Sequence, residues 1–539
     1  MRPISTDKGL AFLEERVLHY ANVYERQLPE MRFFILDENE FASLLSKHVY
    51  PTSPVNIWEG KEMVGRRLRV ESGQETSLYY EVVQTGRPSY GYLNETNSAM
   101  MQASVMAHVV GHCEFSELNV MHDSNDDRTE QVMHLVRQID MGRKQMGERN
   151  YKIFWNACES VSGLIHPNSQ FNLENSIEYD SKVNAAKKAI PVESGPELYL
   201  PYSSTLDTLL EKKESESTMR VHEERRYEER MTLDRKGYKL YAPCQDILGF
   251  LREFAPNSNP EQSILEYMYA INKNRDFIMR TQIMNEGWAM YWEKKIMHDL
   301  FREKACPGII EYAKSVSGVC FPRPWFQRNP YHLGYHMWEH IEELYEDGKV
   351  TLDYVEEIDL ETKRTWHKPI DKTPMQCMEH LVESITDYEF LRRFLSPELI
   401  TKFHLNRIHK RQAQQLGIRA EDVMKEDPYY IWLEPEPILD EMLNFFVHFH
   451  QPRIYLVDDD FMDGGLLLFH RNDGRKLRKD WIQPTLKNLN HIWKSSVSLV
   501  TDNILYVYQS GAIKESQISE NTFEEICERM QSGEKALRL

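Results

Sequence analysis

The sequence predicts a mainly α protein of the α+β class, in which a large helical domain is followed by a small α/β domain. Three observations point there. Long stretches rich in Ala, Met, Leu and Glu with few breakers fill the middle of the 539-residue chain. The tail changes to short apolar runs divided by Gly, Asn and Asp turns. Hydrophobic residues at 41% and aromatics at 11% supply enough apolar surface for packed interiors. A chain of this length exceeds one ordinary core, so roughly two to three domains are expected. The composition shift divides it into a helical part over residues 1–436 and an α/β part over 437–539.

Taken in order, the N-terminal segment reads as helix, turn and a short apolar run at Met31–Leu36, ended by the Pro-rich YPTSPVN. Tyr-rich extended sequence follows, with a turn at Gly86-Arg87-Pro88. From Ser98 the run NSAMMQASVMAHVVGHCEFSELN is helical, and a second helix spans Arg128 to Arg149. Residues 203–238 are nearly all charge of both signs, the pattern of a solvated helix or flexible insertion. Helices are expected again at Asp246–Phe254 and Ser263–His298, and after the Pro-rich break FPRPWFQRNP at Leu333–Tyr345. In the tail, RIYLVDDD, GGLLLFHR, SVSLVTD and NILYVYQ read as strands, with a helix in WIQPTLKNLNHIWK.

The formal net charge of -19 argues against nucleic-acid phosphates or anionic lipid as the main partner, since both need a basic face. No stretch of ~20 apolar residues could span a bilayer. The N-terminus MRPISTDKGLAFLEERVLHYA lacks an uninterrupted signal-peptide core. Cysteines stand singly at 113, 158, 244, 306, 320, 377 and 527, without a CxxC pair, which fits reduced and mostly buried thiols. A cytoplasmic location is therefore expected.

The sharpest chemical feature is His108-Val109-Val110-Gly111-His112 inside apolar helical sequence. Helical positions i and i+4 share a face, so both imidazoles can reach one metal ion. A catalytic zinc site adds a third protein ligand, commonly a carboxylate from another helix. Glu286 is the candidate, an isolated acid in the apolar stretch MNEGWAMYW, and Glu293 lies seven residues on along the same face. The HExxH pattern is not met, because Val109 follows the first histidine, and HxxEH fails at Gly111. A base must then come from elsewhere: Glu114, Glu293 or Tyr291. The competing reading makes His108 and His112 core histidines hydrogen-bonded to buried carboxylates. A second cluster, His332, His336 and His340, contains a literal HxxEH but continues as an ordinary charged amphipathic helix, and ranks below the first.

The same segments carry a family resemblance. Tyr90-Gly91-Tyr92-Leu93-Asn94-Glu95-Thr96-Asn97, AHVVGHCEFSELN, MNEGWAMYW, NPYHLG and FLSPELI resemble, in order, the signature blocks of the SpoVR (stage V sporulation protein R) family. That resemblance implies a cytoplasmic bacterial protein linked to spore cortex (peptidoglycan) formation or to stress. It also implies partners that include a serine protein kinase and a von Willebrand-type companion. Locally, Glu286–Glu293 is similar to the EGWALYxE block of gluzincin-type zinc carboxypeptidase-like proteins. That likeness implies a gluzincin-like helical domain with zinc on His108, His112 and Glu286. The expected activity is hydrolysis of an amide in a peptide or peptidoglycan precursor, with Glu114 or Glu293 moving protons and Tyr291 donating to the oxyanion. The alternative is a non-catalytic scaffold or regulatory partner of the kinase system, built around a buried His/Glu network.

Overall fold

In the computed structural model the described residues are 2–37, 40, 81–122, 128–166, 243–449, 451–462, 464–472, 474–519, 523–524 and 526. The charged segment expected at 203–238 lies outside them. Packing divides the chain into two units, Met1–Val136 with Asn274–His450, and Arg137–Lys273 with Gln451–Leu539. Among the described residues the protein is mainly helical with three small sheets, as the composition and periodicity predict.

The first unit opens with strand β1 (Arg2–Pro3), helix α1 (Lys8–Val23) and strands β2 (Met31–Leu36), β3 (Glu81–Gln84) and β4 (Ser89–Asn94). They form a four-stranded sheet of order β1-β2-β4-β3, with β2 and β4 parallel from Met31↔Ser89 to Leu36↔Asn94. Helix α2 (Ala99–Leu118) follows at once, its N-terminus capped by Ser98, whose hydroxyl accepts from the amide of Met101. Its Ala, Met and Val leave no polar stripe, so it is buried on every side, as an all-round apolar helix must be. Asn119 ends it and ties it to a later helix by donating to the carbonyls of Val382 and Ile385.

In the second unit, α3 (Arg128–Met146, shared at its start with the first unit), α4 (Glu148–Val161) and α5 (Ile247–Phe254) lead into α6 (Asn259–Glu303). Among its described residues that unit also has the strands β8 (Ile454–Phe461), β9 (Gly465–His470), β10 (Val497–Thr501), β11 (Ile504–Gln509) and β12 (Ala512–Gln517). Their order is β12-β11-β10-β9-β8, and β9 and β10 run parallel because a helix over Lys479–Trp493 crosses between them. The edge strand β12, AIKESQ, is exposed and polar, and therefore carries no hydrophobic signal.

The rest of α6 belongs to the first unit, with α7 (Ile309–Val319), α8 (Pro330–Glu346) and a succession of shorter helices. The same unit holds β5 (Arg407–His409), β6 (Val423–Glu426) and β7 (Tyr430–Leu433), which form a sheet of order β5-β7-β6. The Pro-rich break sets the start of α8: Asn329 caps it by accepting from the amide of Tyr331, and Pro330 sits at its first position. Within α6 the amides of Ile283 and Met284 each donate to Asp387, at 2.9 Å. This carboxylate does for the second half of the helix what an N-cap does at a terminus. Burial pushes the Asp387 pKa up to about 7 against the pull of those two amides.

Three glycines let α2, α6 and α8 approach backbone to backbone. A Cβ at Gly111 would lie 2.5 Å from Ala289 Cα, one at Gly287 2.3 Å from the carbonyl carbon of Gly334, and one at Gly334 2.0 Å from the carbonyl oxygen of Ile283. No side-chain rearrangement relieves a contact with backbone. Gly287→Ala and Gly334→Ala should each destabilise by at least about 1–3 kcal/mol through overpacking. Gly318→Ala in α7 is the control, because its Cβ meets nothing within 4 Å; it should stabilise by up to about 1 kcal/mol. Chemical denaturation of the three variants decides, and equal midpoints would show that the helix crossings are looser than described.

Candidate metal centre

His108 and His112, one turn apart on α2, lie with ring centroids 4.7 Å apart and are 4% and 6% exposed. Each is oriented through Nδ1 by a residue of α6. His108 Nδ1 meets Glu293 Oε2 at 2.8 Å, and His112 Nδ1 meets Asn285 Oδ1 at 2.8 Å. An ionised carboxylate only accepts, and the amide oxygen only accepts, so Nδ1 carries the proton in both rings and Nε2 presents its lone pair. Both Nε2 atoms then face the same carboxylate oxygen, Glu286 Oε2, at 3.6 and 3.4 Å. Among the described residues this is the one group of three such side chains whose ligand atoms lie close enough, within 4.8 Å of one another, to hold a metal ion.

When Nε2 carries a proton as well, each imidazolium faces the Glu286 carboxylate, and the two together outweigh burial and hold that carboxyl well below the usual carboxylate range. Its side chain is 19% exposed against 5% and 8% for the histidines, so the solvent side of the site is the Glu286 side. Tyr331, at the start of α8, forms an aromatic wall 5.8 Å from the His108 ring.

The other residues singled out from sequence lie elsewhere in the polar network. Glu114 is fully buried, and both its oxygens are taken: Oε1 accepts from Arg26 Nη1 and the amide of Gln27, and Oε2 from Trp288 Nε1. Arg26 also pairs with Glu379 and lies over the Trp292 ring. Tyr291 is buried with its hydroxyl accepting from Lys295, which also binds Glu342. Burial first and Glu342 second raise its pKa far above the usual phenol value. Glu293 stands beside the site but behind His108, where its Oε1 accepts from Ser104 Oγ at 2.6 Å.

Sequence reading missed Asn285 and Ser104. Ser104 precedes His108 by one turn, a spacing that could have flagged it. The rings of His332 and His336 are also 4.7 Å apart, but among the described residues they belong to no set of three ligand atoms close enough to hold an ion. His332 Nε2 donates to the carbonyl of Phe403 at 3.2 Å, and His336 Nδ1 pairs with Glu339 of its own helix at 3.0 Å.

A family model described as "SpoVR like protein" matches residues 6–430. The uncharacterised protein YcgB of Escherichia coli (strain K12) is 25% identical over 363 residues, covering 65% of this chain and 65% of that protein. No solved structure matches. Among the described residues no helix is long and apolar enough to cross a membrane.

His332 provides a pH signature separate from the metal centre. Burial lowers its pKa to about 4 from an unfolded value near 6.5. Folding therefore disfavours its protonation, and its contribution to stability is present above about pH 6.5 and lost as the pH falls toward 4. Denaturation midpoints measured over that window should drop more steeply for the native chain than for His332→Gln. Parallel slopes would mean that the imidazole is not buried as neutral.

Proposed function

We propose that this chain, which belongs to the SpoVR family, holds a divalent metal ion on His108, His112 and Glu286 and acts on an amide bond. The observation that carries the reading is the convergence of two Nε2 lone pairs and one carboxylate oxygen. Both rings are locked in the ligating tautomer by Glu293 and Asn285. Three acceptors turned toward one point repel one another unless a cation or protons lie between them. Two imidazoles and one carboxylate form a donor set suited to zinc.

An ion bound there supplies Lewis-acid polarisation of a carbonyl and activation of water for attack. The chain supplies the rest. His108, His112 and Glu286 fix the position, Glu293 and Asn285 set the ring orientations, and the apolar surroundings of α2 keep bulk water from the histidine side. Of the three side chains only Glu286 is partly accessible, at 19%, so substrate approaches from its side. The family's link to the spore cortex makes a peptide or peptidoglycan precursor the substrate class to try first, in the cytoplasm, alongside its kinase and von Willebrand-type companions.

A second reading has its own support. Glu114 and Tyr291 are committed to buried pairs, as a non-catalytic scaffold built around a buried polar network would have them. Elemental analysis of the purified full-length chain should find about one equivalent of metal, lost in His108→Ala/His112→Ala and in Glu286→Gln. Equal metal in native and double-variant protein would end the proposal. Chelator treatment then separates the two roles. Loss of amide hydrolysis at an unchanged Tm marks a catalytic ion, and a fall in Tm without any hydrolysis to lose marks a structural one.

A further inference from the structure

Resting on the proposed metal centre, we infer that its two histidines are unequal ligands. Glu293 makes His108 the strongly donating anchor, Asn285 leaves His112 the weaker ligand, and these two side chains set how tightly the site holds its ion. Glu293 is thereby a positioning residue, and not the proton carrier its sequence spacing implies.

The asymmetry is built from both helices. Glu293 follows Glu286 by two helical turns and is only 6% exposed. Its Oε2 accepts a hydrogen bond from His108 Nδ1–H, while Ser104, one turn before His108 on α2, donates to Oε1. Burial first and the Glu293 carboxylate second raise the pKa of the Tyr312 phenol, on α7, far above the ordinary value. The carboxylate is thus fixed in one orientation with its charge directed through the imidazole. A carboxylate on the far nitrogen makes the ring a better donor and typically changes metal affinity by about 10–100-fold. Across the site, Asn285 orients His112 by the same geometry, at the same 2.8 Å, but brings no charge. The His108 ring also stands between Glu293 and the convergence point, so Glu293 cannot reach a reacting atom directly.

The test is titration of the full-length protein with Zn²⁺ and Co²⁺ against a chelating indicator. Melting temperatures are recorded without metal, and the visible spectrum of the cobalt form is followed. Glu293→Gln keeps an oxygen acceptor but removes the charge, and should weaken binding by about 10–100-fold. Ser104→Ala, which only frees Glu293 to turn, should weaken it by a smaller factor. Asn285→Asp should tighten binding while lowering the metal-free Tm, because an added buried charge costs stability until a cation compensates it. Affinity and metal-free stability moving in opposite directions is an outcome that a merely structural residue does not produce. If Glu293→Gln does not fold, Asn285→Asp and Ser104→Ala carry the test. Native protein that binds metal together with variants that bind it equally well overturns this inference and leaves the metal centre standing. Native protein that binds no metal overturns the centre itself.

Discussion

The close approach of three helix backbones is the constraint on which the rest of the site depends. Gly111 of α2 lies against Ala289 of α6, and Gly287 of α6 lies against Gly334 of α8. Side chains at these crossings would hold the helices apart by more than an ångström. The ligand atoms of His108, His112 and Glu286, now within 4.8 Å of one another, would then no longer share a point. Helices normally pack 8–10 Å apart with side chains between them. Here glycine removes the spacer, and the polar side chains one or two residues away meet in the space that closeness creates.

Such packing needs the helices to be held in register, and buried polar contacts provide that. Asp387 takes two amides of α6 just before the ligand-bearing stretch, and Trp338 donates to the carbonyl of Met284 in the same turn. Glu114 joins Trp288 to Arg26, so the aromatic cluster of Trp288, Trp292 and Trp338 is pinned from the α2 side. Buried charges of this kind stabilise little on balance, but each becomes expensive if its partner moves. They make a single arrangement of α2, α6 and α8 far better than its neighbours. A ligand set assembled from two helices needs that rigidity.

How far the sequence spoke follows from the same physics. Helices with strong apolar periodicity were legible, and so were the strands of the C-terminal sheet, except β12, whose exposed polar face leaves no pattern to read. The grouping of His108, His112 and Glu286 was legible because acid and imidazole inside apolar helix are costly without partners. The contacts of Glu114 and Tyr291 were not, since helical spacing states which face a residue occupies but not what waits opposite it. Arg26, the partner of Glu114, lies far away in sequence, and Lys295 and Glu342 approach Tyr291 from two different helices. Ser104 and Asn285 are short polar side chains common in any helix, so only the contact itself reveals their use. Gly287 and Gly334 read as weak points of helices from propensity alone, and in the fold they are the contacts that matter most.

The run Glu286-Gly287-Trp288-Ala289 then has an explanation residue by residue. Successive positions on a helix turn by about 100°, so four neighbours face four directions. Glu286 faces the histidines, Gly287 faces α8, Trp288 enters the aromatic core beneath Glu114, and Ala289 lies on Gly111 of α2. No two of these tasks tolerate the other's residue: a larger side chain at 287 or 289 parts the helices, and a smaller one at 288 empties the core. Glu293, two turns on, lies on the face of Glu286, and Asn285 lies about 100° from it next to the face of Ala289; each orients one histidine through its Nδ1. The motif is contiguous in sequence because one short helical segment must contact α2, α8, the core and the ligand point at once. Its density of unusual residues is the imprint of that geometry.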